Sequence, residues 1–395
     1  MKAITGGRIV LLDKNTEGSI ADGCTLLYDK GKIIGIVRDE VIPDCAERID
    51  AKGGYVLPGF VDIHVHGGGG SDFLDGTVED IRTVTRTHAL HGTTSILPTT
   101  LTCPNEVLFR SLDLIIGEME RGSGDGAEIL GVHLEGPYFS GASKGAQAVA
   151  EQRIPTLEEL EEINAHAKGH IVRWDAAPEL PNMDLFAAWL REHGILGSIG
   201  HSAADAECSL EAFEKGFTHL THMYCATTTE HKKDQKVHAG QIEAVYLEDG
   251  FTTELIGDGC HIPRETMQLV FKLKGAKKTA LITDAMRAAG TDCEKSILGD
   301  RVSGTPVIIE DGVAKLADRT FFAGSIATLD IALRTAVSFG IPLIDAVRSI
   351  TLTPAEIIGF DNRKGSLESG KDADIVITDP SLSVCDVIIG GRSII

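Results

Sequence analysis

The spacing of apolar residues divides the chain into three regions. Up to residue 57, short apolar runs such as "CTLLYDKGKIIGIVRD" are broken by Gly, Asp and Lys-Gly turns, which is typical of strands and hairpins. Between residues 58 and 354, short apolar runs alternate with longer segments of helical period. From residue 355 onward the pattern returns to short β runs. The chain is therefore predicted to have two β-rich ends around a region of alternating strands and helices.

Eight apolar runs in the central region are candidate strands. They are FVDIHVHG, TTSILPTT, EILGVHLEG, VRWDAAPEL, ILGSIGHS, HLTHMYCA, TTELIGDG and TALITDAM. Amphipathic segments such as TVEDIRTVTRTHALHG, PTLEELEEINAHAKG and AECSLEAFEKG lie between several of them. This alternation predicts an α/β protein with a (β/α)8 TIM-type barrel, and a doubly wound sheet is the alternative. We expect the barrel to span residues 58–354, and residues 1–57 and 355–395 to form one small β-sandwich domain.

Composition and charge narrow the class of partner. The 395-residue chain is 43% hydrophobic and has a formal net charge of −21, which does not favour nucleic acid or an anionic membrane as a partner. The first residues lack the apolar region of a signal peptide, and no apolar run approaches the ~18 residues of a membrane span. The eight cysteines form no CxxC pair and are expected to be free thiols, so we predict a cytoplasmic location.

Histidine and carboxylate residues end several of the predicted strands. His64 and His66 share one face of the first strand, because successive side chains of a strand point to opposite faces. Alone, this pair is either a pair of metal ligands or two polar residues on a strand whose other face is buried. The residues that end later runs are Glu135, His201, His222 and Asp284. A barrel gathers the carboxyl ends of its strands on one rim, where active sites lie.

These residue types are suited to a metal site. Histidine and carboxylate bind Zn²⁺ or Fe²⁺, and a carboxylate beside an activated water can act as its base. Each residue also has an ordinary interpretation as a helix cap or a hydrogen-bonded core residue, but six such residues at strand ends favour a common site. His133 and His219 lie just before ligand candidates and are candidates for a supporting role. The histidines interpreted as surface or helix-end residues are His88, His91, His166, His170 and His193.

A family resemblance extends over nearly the whole chain. The motifs that carry it are LPGFVDIHVHGGGG, GVHLEGPYFSGASKGAQ, IGHSAA, THLTHMYCA, IGDGCHI, LITDAMRAAG and FFAGSIATLD. Together they resemble the metal-dependent amidohydrolase superfamily and, within it, the N-acetylglucosamine-6-phosphate deacetylases. The HxH motif marks only the superfamily, whereas HLEGP combined with KGAQ, DGxH and TDA is far more specific to the deacetylases. The resemblance implies hydrolysis of N-acetylglucosamine 6-phosphate to glucosamine 6-phosphate and acetate, and it implies a homodimer.

The resemblance also implies roles for individual residues. The residues that match the principal metal site are Glu135, His201 and His222. The pair that some members use for a second ion corresponds to His64 and His66, so one or two divalent ions, zinc or iron, are expected per subunit. Asp284 matches the acid/base that takes a proton from water and returns it to the departing amine. The residues expected to contact the substrate are Ala146, Gln147, Cys225, Ala226, Asp258, His261, Phe322, Ala323 and Gly324.

The stretch after the sixth strand departs from the family pattern. Cys225 stands where the family has Asn, and many members carry His at the position of Gln147. The family's loop arginine, which binds the substrate phosphate, has no counterpart here. Nearby lysines either bind phosphate as point charges or belong to a solvated loop; they are Lys232, Lys233 and Lys236. N-acetylgalactosamine 6-phosphate, a non-phosphorylated N-acetyl sugar and an N-acyl amino acid therefore stay open as substrates.

The sequence counts against two other classes of protein. Many cyclic amidases use a carboxylated lysine as bridging ligand, and the glutamate of HLEGP counts against that class. A non-catalytic scaffold on the same barrel should have lost its ligands, and the retention of every ligand candidate counts against it.

Overall fold

Eight parallel strands form a barrel at the centre of the computed structural model, which describes residues 1–44, 46–122, 124–147 and 149–395. These strands are β1 Phe60–Val65, β2 Thr93–Thr100, β3 Val132–Glu135, β4 Ile171–Ala176, β5 Leu196–Ile199, β6 Phe217–Leu220, β7 Thr252–Ile256 and β8 Thr279–Ile282. Neighbours pair in sequence order, and the ring closes through a parallel bridge between Val65 and Ala285, just beyond β8. The predicted barrel is confirmed.

Helices follow the barrel strands in turn. They are α1 Val78–Leu90, α2 Asn105–Arg121, α3 Leu157–His166, α4 Met183–His193, α5 Ala206–Lys215, α6 Gln241–Leu247, α7 Arg264–Leu273, α8 Leu329–Ser338, α9 Leu343–Ser349 and α10 Leu352–Ile357. Short 3-10 turns cover Asp39–Val41, Gly141–Ser143 and Val149–Glu151. The α5 helix has both of its ends marked in the sequence, because Asp205 accepts the Cys208 N–H and Gly216 adopts a left-handed conformation. Within the described parts of the chain, every helix is too short or too polar to cross a bilayer.

The two ends of the chain form two further sheets. One contains Lys32–Arg38, Cys24–Asp29, Lys2–Thr5 and Glu47–Asp50, in that order. The other contains Arg392–Ser393, Val384–Ile389, Ile375–Thr378, Tyr55–Pro58, Arg8–Leu11 and Ser19–Ala21. Ile4 and Leu26 of the first sheet share one apolar cluster with Val56 and Ile375 of the second, as the predicted β-sandwich requires. The domain boundaries at residues 57 and 355 stay predictions.

Two β elements of the central region fall outside the predicted pattern. A three-stranded antiparallel sheet follows β8 and contains Lys295–Leu298, Thr305–Glu310 and Val313–Leu316. A short hairpin after β6 pairs His231–Lys233 with Lys236–His238. Three further short strands, Gly67–Gly68, Ser71–Asp72 and Glu128–Ile129, complete the described β structure.

The interior of the barrel is polar rather than aliphatic. Alternate residues of its strands point inward, and the buried inward side chains include Asp62, His64, Thr99, His133, Arg173, Asp175, Ser198, His219 and Glu254. Buried charges require partners, and Arg173 has two, because it donates to Asp175 Oδ1 at 3.0 Å and to Glu254 Oε1 at 2.9 Å. The barrel therefore supports its open rim with a hydrogen-bonded network.

Candidate active site

Three of the predicted site residues occupy equivalent backbone positions. His201, His222 and Asp284 each lie two residues beyond the end of a barrel strand, with φ of 46°, 26° and 46°. Positive φ is costly for residues other than glycine, by about 1–3 kcal/mol, and such strain concentrates at functional sites. The chain thus turns sharply at three strand ends and presents two imidazoles and a carboxylate above the barrel.

One set of ligand candidates has the spacing of a metal site. His201 Nε2 and His222 Nε2 lie 3.0 and 3.2 Å from Glu135 Oε1, and 3.2 Å from each other. Ligands at zinc-like distances in tetrahedral geometry lie about 3.3 Å apart. Each ring is oriented through its other nitrogen, since His201 Nδ1 donates to the Ser143 carbonyl at 3.1 Å and His222 Nδ1 to the Cys225 carbonyl at 3.0 Å. These three residues fit a divalent ion.

The pair on β1 faces the same carboxylates. His66 Nε2 lies 3.3 Å from Glu135 Oε2 and 3.1 Å from Asp284 Oδ1. His64 Nε2 is more distant from both residues, at 3.7 and 3.6 Å, and has no hydrogen-bond partner among the described residues although it is buried. A buried polar atom without a partner requires an explanation. A second ion held with Glu135 would supply the missing partner.

Electrostatics keep both carboxylates of the site ionised. Burial would raise the pKa of Glu135, but the charge of His64 and contacts with His201 and His222 hold that pKa well below its usual value. Burial likewise opposes ionisation of Asp284, and His64 and His66 outweigh it and lower the pKa. An ionised Asp284 is suited to accept a proton.

Gln147 connects its loop to the metal-ligand candidates. Its Nε2 donates to Glu135 Oε2 at 2.8 Å. Its Oε1 accepts the Thr102 backbone N–H at 3.0 Å, which sets the orientation of the amide. Gln147 was predicted as a substrate contact, and the structure adds this direct contact with Glu135.

A cavity of about 330 Å³ opens above these residues. Such a volume suits a small metabolite. Its lining includes the predicted residues His66, Glu135, Ala146, Gln147, His201, His222, Cys225, Ala226, His261, Asp284, Phe322 and Gly324. Gly324 adopts φ of 75°, and a Cβ there would lie 2.9 Å from the Asp284 carbonyl oxygen, so this close approach requires glycine. Burial raises the pKa of the Cys225 thiol, which keeps it neutral.

Other predicted residues lie behind or away from the cavity. Asp258 is not part of the described lining, and its Oδ2 accepts His261 Nδ1 at 2.8 Å. Ala323 is buried between two lining residues. Lys232 and Lys236 are exposed on the hairpin and do not line the cavity, and the side chain of Lys233 lies outside the described structure. Among the described residues, the lining contains neither lysine nor arginine.

Sequence reasoning missed six residues of the lining, five of them apolar or aromatic, and one buried carboxylate. The lining residues are Leu101, Gly145, Tyr224, Ile256, Leu298 and Phe321. The carboxylate is Glu254 on β7, whose Oε1 accepts His64 Nδ1 at 2.8 Å. The only signal for it was a polar residue inside the apolar run TTELIGDG. His219, for which a supporting role is predicted, contacts this carboxylate: its Nε2 lies 3.3 Å from Glu254 Oε2. His133 Nε2 lies 2.9 Å from Asp175 Oδ1.

His88 lies in the last turn of α1, as the helix-end interpretation allows, but it is not a surface residue. His88 is fully buried on α1 and donates from Nε2 to the Gly67 carbonyl at 2.9 Å. Burial lowers its pKa to about 4. It therefore supports, as a neutral ring, the glycine loop that follows His66.

A separate acidic cluster already contains its cation. Glu128, Asp372 and Asp374 could hold a metal by spacing alone. The Lys364 ammonium occupies their centre, 2.5 Å from Glu128 Oε2 and 2.7 Å from Asp374 Oδ2. This cluster is an ion-pair network between the barrel and the C-terminal segment.

Comparisons with known proteins agree with the geometry. The model of the Amidohydrolase family matches residues 55–394. The chain is 33% identical over 384 residues to the N-acetylglucosamine-6-phosphate deacetylase of Bacillus subtilis (strain 168), covering 95% of this chain and 92% of that protein. It is also 33% identical over 380 residues to the N-acetylgalactosamine-6-phosphate deacetylase of Escherichia coli O157:H7, covering 95% and 96%. A solved N-acetylglucosamine-6-phosphate deacetylase from Pasteurella multocida is similar with a TM-score of 0.90, at 29% identity and 99% coverage of both chains.

Proposed function

The chain belongs to the amidohydrolase family and, within it, to the N-acetylglucosamine-6-phosphate deacetylases, and from this premise we propose that it hydrolyses the acetamide of N-acetylglucosamine 6-phosphate. The observation that carries the proposal is the convergence of Glu135, His201 and His222 with Asp284 at the floor of one cavity. The products are glucosamine 6-phosphate and acetate.

The residues proposed to hold a divalent ion are Glu135, His201 and His222, with His64 and His66 available for a second. Zinc or iron bound there supplies Lewis-acid activation of a water molecule and of the acetamide carbonyl. We propose zinc or iron as the bound metal, because histidine and glutamate are suitable ligands for either one.

Asp284 is the proposed acid/base. Its carboxylate is ionised in the resting site, so it accepts the proton of the attacking water and then returns it to the departing amine. His261 is the proposed substrate-orienting residue. Asp258 accepts its Nδ1–H, which leaves Nε2 free to contact a sugar hydroxyl.

An acetate-release panel tests the substrate. The panel contains N-acetylglucosamine and N-acetylgalactosamine, each with and without a 6-phosphate. We expect turnover of N-acetylglucosamine 6-phosphate far above that of the unphosphorylated sugar. Equal turnover of the two would contradict the phosphosugar assignment, and release from none of the four sugars would contradict the deacetylase.

N-acetylgalactosamine 6-phosphate is the second candidate substrate. Its support is the equally similar deacetylase of Escherichia coli O157:H7. The same panel separates the two, since the isomers differ only in the configuration of one hydroxyl.

Oligomeric state and location complete the proposal. We propose a homodimer from the resemblance and a cytoplasmic enzyme from the composition. Light scattering coupled to gel filtration gives the mass in solution, and a single-chain mass would contradict the dimer.

A further inference from the structure

Glu254 contacts both sets of ligand candidates through one oxygen. Its Oε1 accepts His64 Nδ1 at 2.8 Å and the backbone N–H of His222 at 3.2 Å. Arg173 donates to both carboxylate oxygens, at 2.5 and 2.9 Å, and the whole cluster is fully buried. Arg173 therefore anchors Glu254 in the barrel interior, directly beneath the site.

The contact with Glu254 determines which nitrogen His64 presents to the site. Because Nδ1 donates its hydrogen to Glu254, Nε2 is the ring nitrogen left to bind a metal ion. That Nε2 lies 3.7 Å from Glu135 Oε1 and, among the described residues, lacks a hydrogen-bond partner. The ring is thus held with Nε2 facing the carboxylates, which is the orientation a metal ligand needs.

The other histidine pair does not depend on this carboxylate for ring orientation. His201 Nδ1 and His222 Nδ1 donate to main-chain carbonyls of Ser143 and Cys225. Glu254 reaches that set only through a backbone N–H. Loss of the carboxylate should therefore affect the two sets unequally.

We infer that Glu254 is a positioning residue that orients His64 for a second divalent ion, so that its removal weakens the binding of the second ion and not of the first. The inference rests on the proposed metal-dependent function and deepens it. Its test measures metal binding and not activity. The result can therefore be interpreted even if the protein releases acetate from none of the sugars.

The test titrates chelator-treated protein with Co²⁺ and counts bound ions by mass spectrometry. Wild type should bind two ions per chain, and His66→Asn, which loses one β1 ligand, supplies the one-ion reference. Glu254→Gln should bind the second Co²⁺ about 10- to 100-fold more weakly while the first is unchanged. The matched control is His219→Gln, which removes a contact with the other oxygen of Glu254 and should still bind two ions.

Three results would overturn the inference. They are a single ion in the wild type, two ions of unchanged affinity in Glu254→Gln, and equal losses in Glu254→Gln and His219→Gln, which would indicate a structural role only. If Glu254→Gln does not fold, Glu254→Asp decides, because it keeps the charge that Arg173 requires and withdraws the oxygen from His64. A folded Glu254→Asp variant with wild-type affinity for both ions would also overturn it.

Discussion

The two histidine pairs of the site are held by different parts of the molecule. His201 and His222 lie beyond their strands in left-handed backbone, and main-chain carbonyls orient both rings. His64 and His66 lie at the end of β1, where a buried carboxylate orients His64 and the Thr99 carbonyl, 3.2 Å from Nδ1, orients His66. The first pair therefore depends on the path of the loops. The second depends in part on side chains inside the barrel, and single substitutions can remove it.

Asp284 contacts the β1 pair and lines the same cavity as His201 and His222, and its loss should have the largest effect. Asp284→Asn retains the size of the side chain but cannot accept the proton, so turnover should fall by about 10²- to 10⁴-fold. Acetate release measures turnover, and mass spectrometry should find the metal content unchanged. Substantial residual turnover would mean that another residue is the base.

Replacing each pair separately tests the comparison directly. His222→Gln should abolish tight binding of the first ion together with turnover, since it removes one of three ligands. The double variant His64→Asn/His66→Asn should lose one ion per chain and keep the other. An unchanged ion count in the double variant would return the β1 pair to an ordinary structural role.

The strand-end residues could be predicted because each follows an apolar run that had to be a strand. His201, His222 and Asp284 needed only the direction of the strands and the closure of a barrel to be placed together. The interior residues Glu254 and Arg173 could not be placed in this way. Each lies inside an apolar run, and sequence alternation alone does not say which face of a strand points into the barrel.

Two features that were not predicted, the burial of His88 and the sheet after β8, nevertheless have recognisable signals in the sequence. On α1, the buried residues Ile81, Val84, Thr85 and His88 are spaced as one helical face, so the period did place His88 toward the core. The inserted sheet at residues 295–316 contains the Asp311-Gly312 turn, which is typical of a hairpin. Its short strands were not distinguished from the predicted barrel, because apolar and polar residues alternate only weakly there.

His88 should make the β1 side of the site sensitive to acid. Burial lowers its pKa to about 4, against 6.5 in the unfolded chain, so the unfolded state binds the proton first as pH falls. The free energy of unfolding should therefore drop by about 2 kcal/mol from this residue between pH 7 and pH 5. His88→Gln should reduce the pH dependence by that amount in denaturant unfolding experiments. An unchanged slope would contradict the buried neutral ring.

Gln147 should have a smaller effect on turnover than Asp284, and it acts on the carboxylate shared by both pairs. Gln147→Ala removes a hydrogen bond to an ionised group, which contributes about 1.5–3 kcal/mol, so kcat/KM should fall by roughly tenfold or more. Gln147→His keeps a ring N–H donor and should retain more activity. Equal activity in both variants and the wild type would show that this contact does not orient Glu135.

The central claim is that residues gathered at the strand ends form a metal-dependent deacetylase site. The most direct test follows acetate release from N-acetylglucosamine 6-phosphate as zinc or ferrous iron is added by equivalents to chelator-treated protein. We predict no turnover without metal and recovery complete within two equivalents per chain. Turnover by the metal-free protein at the rate of the loaded protein would contradict the account.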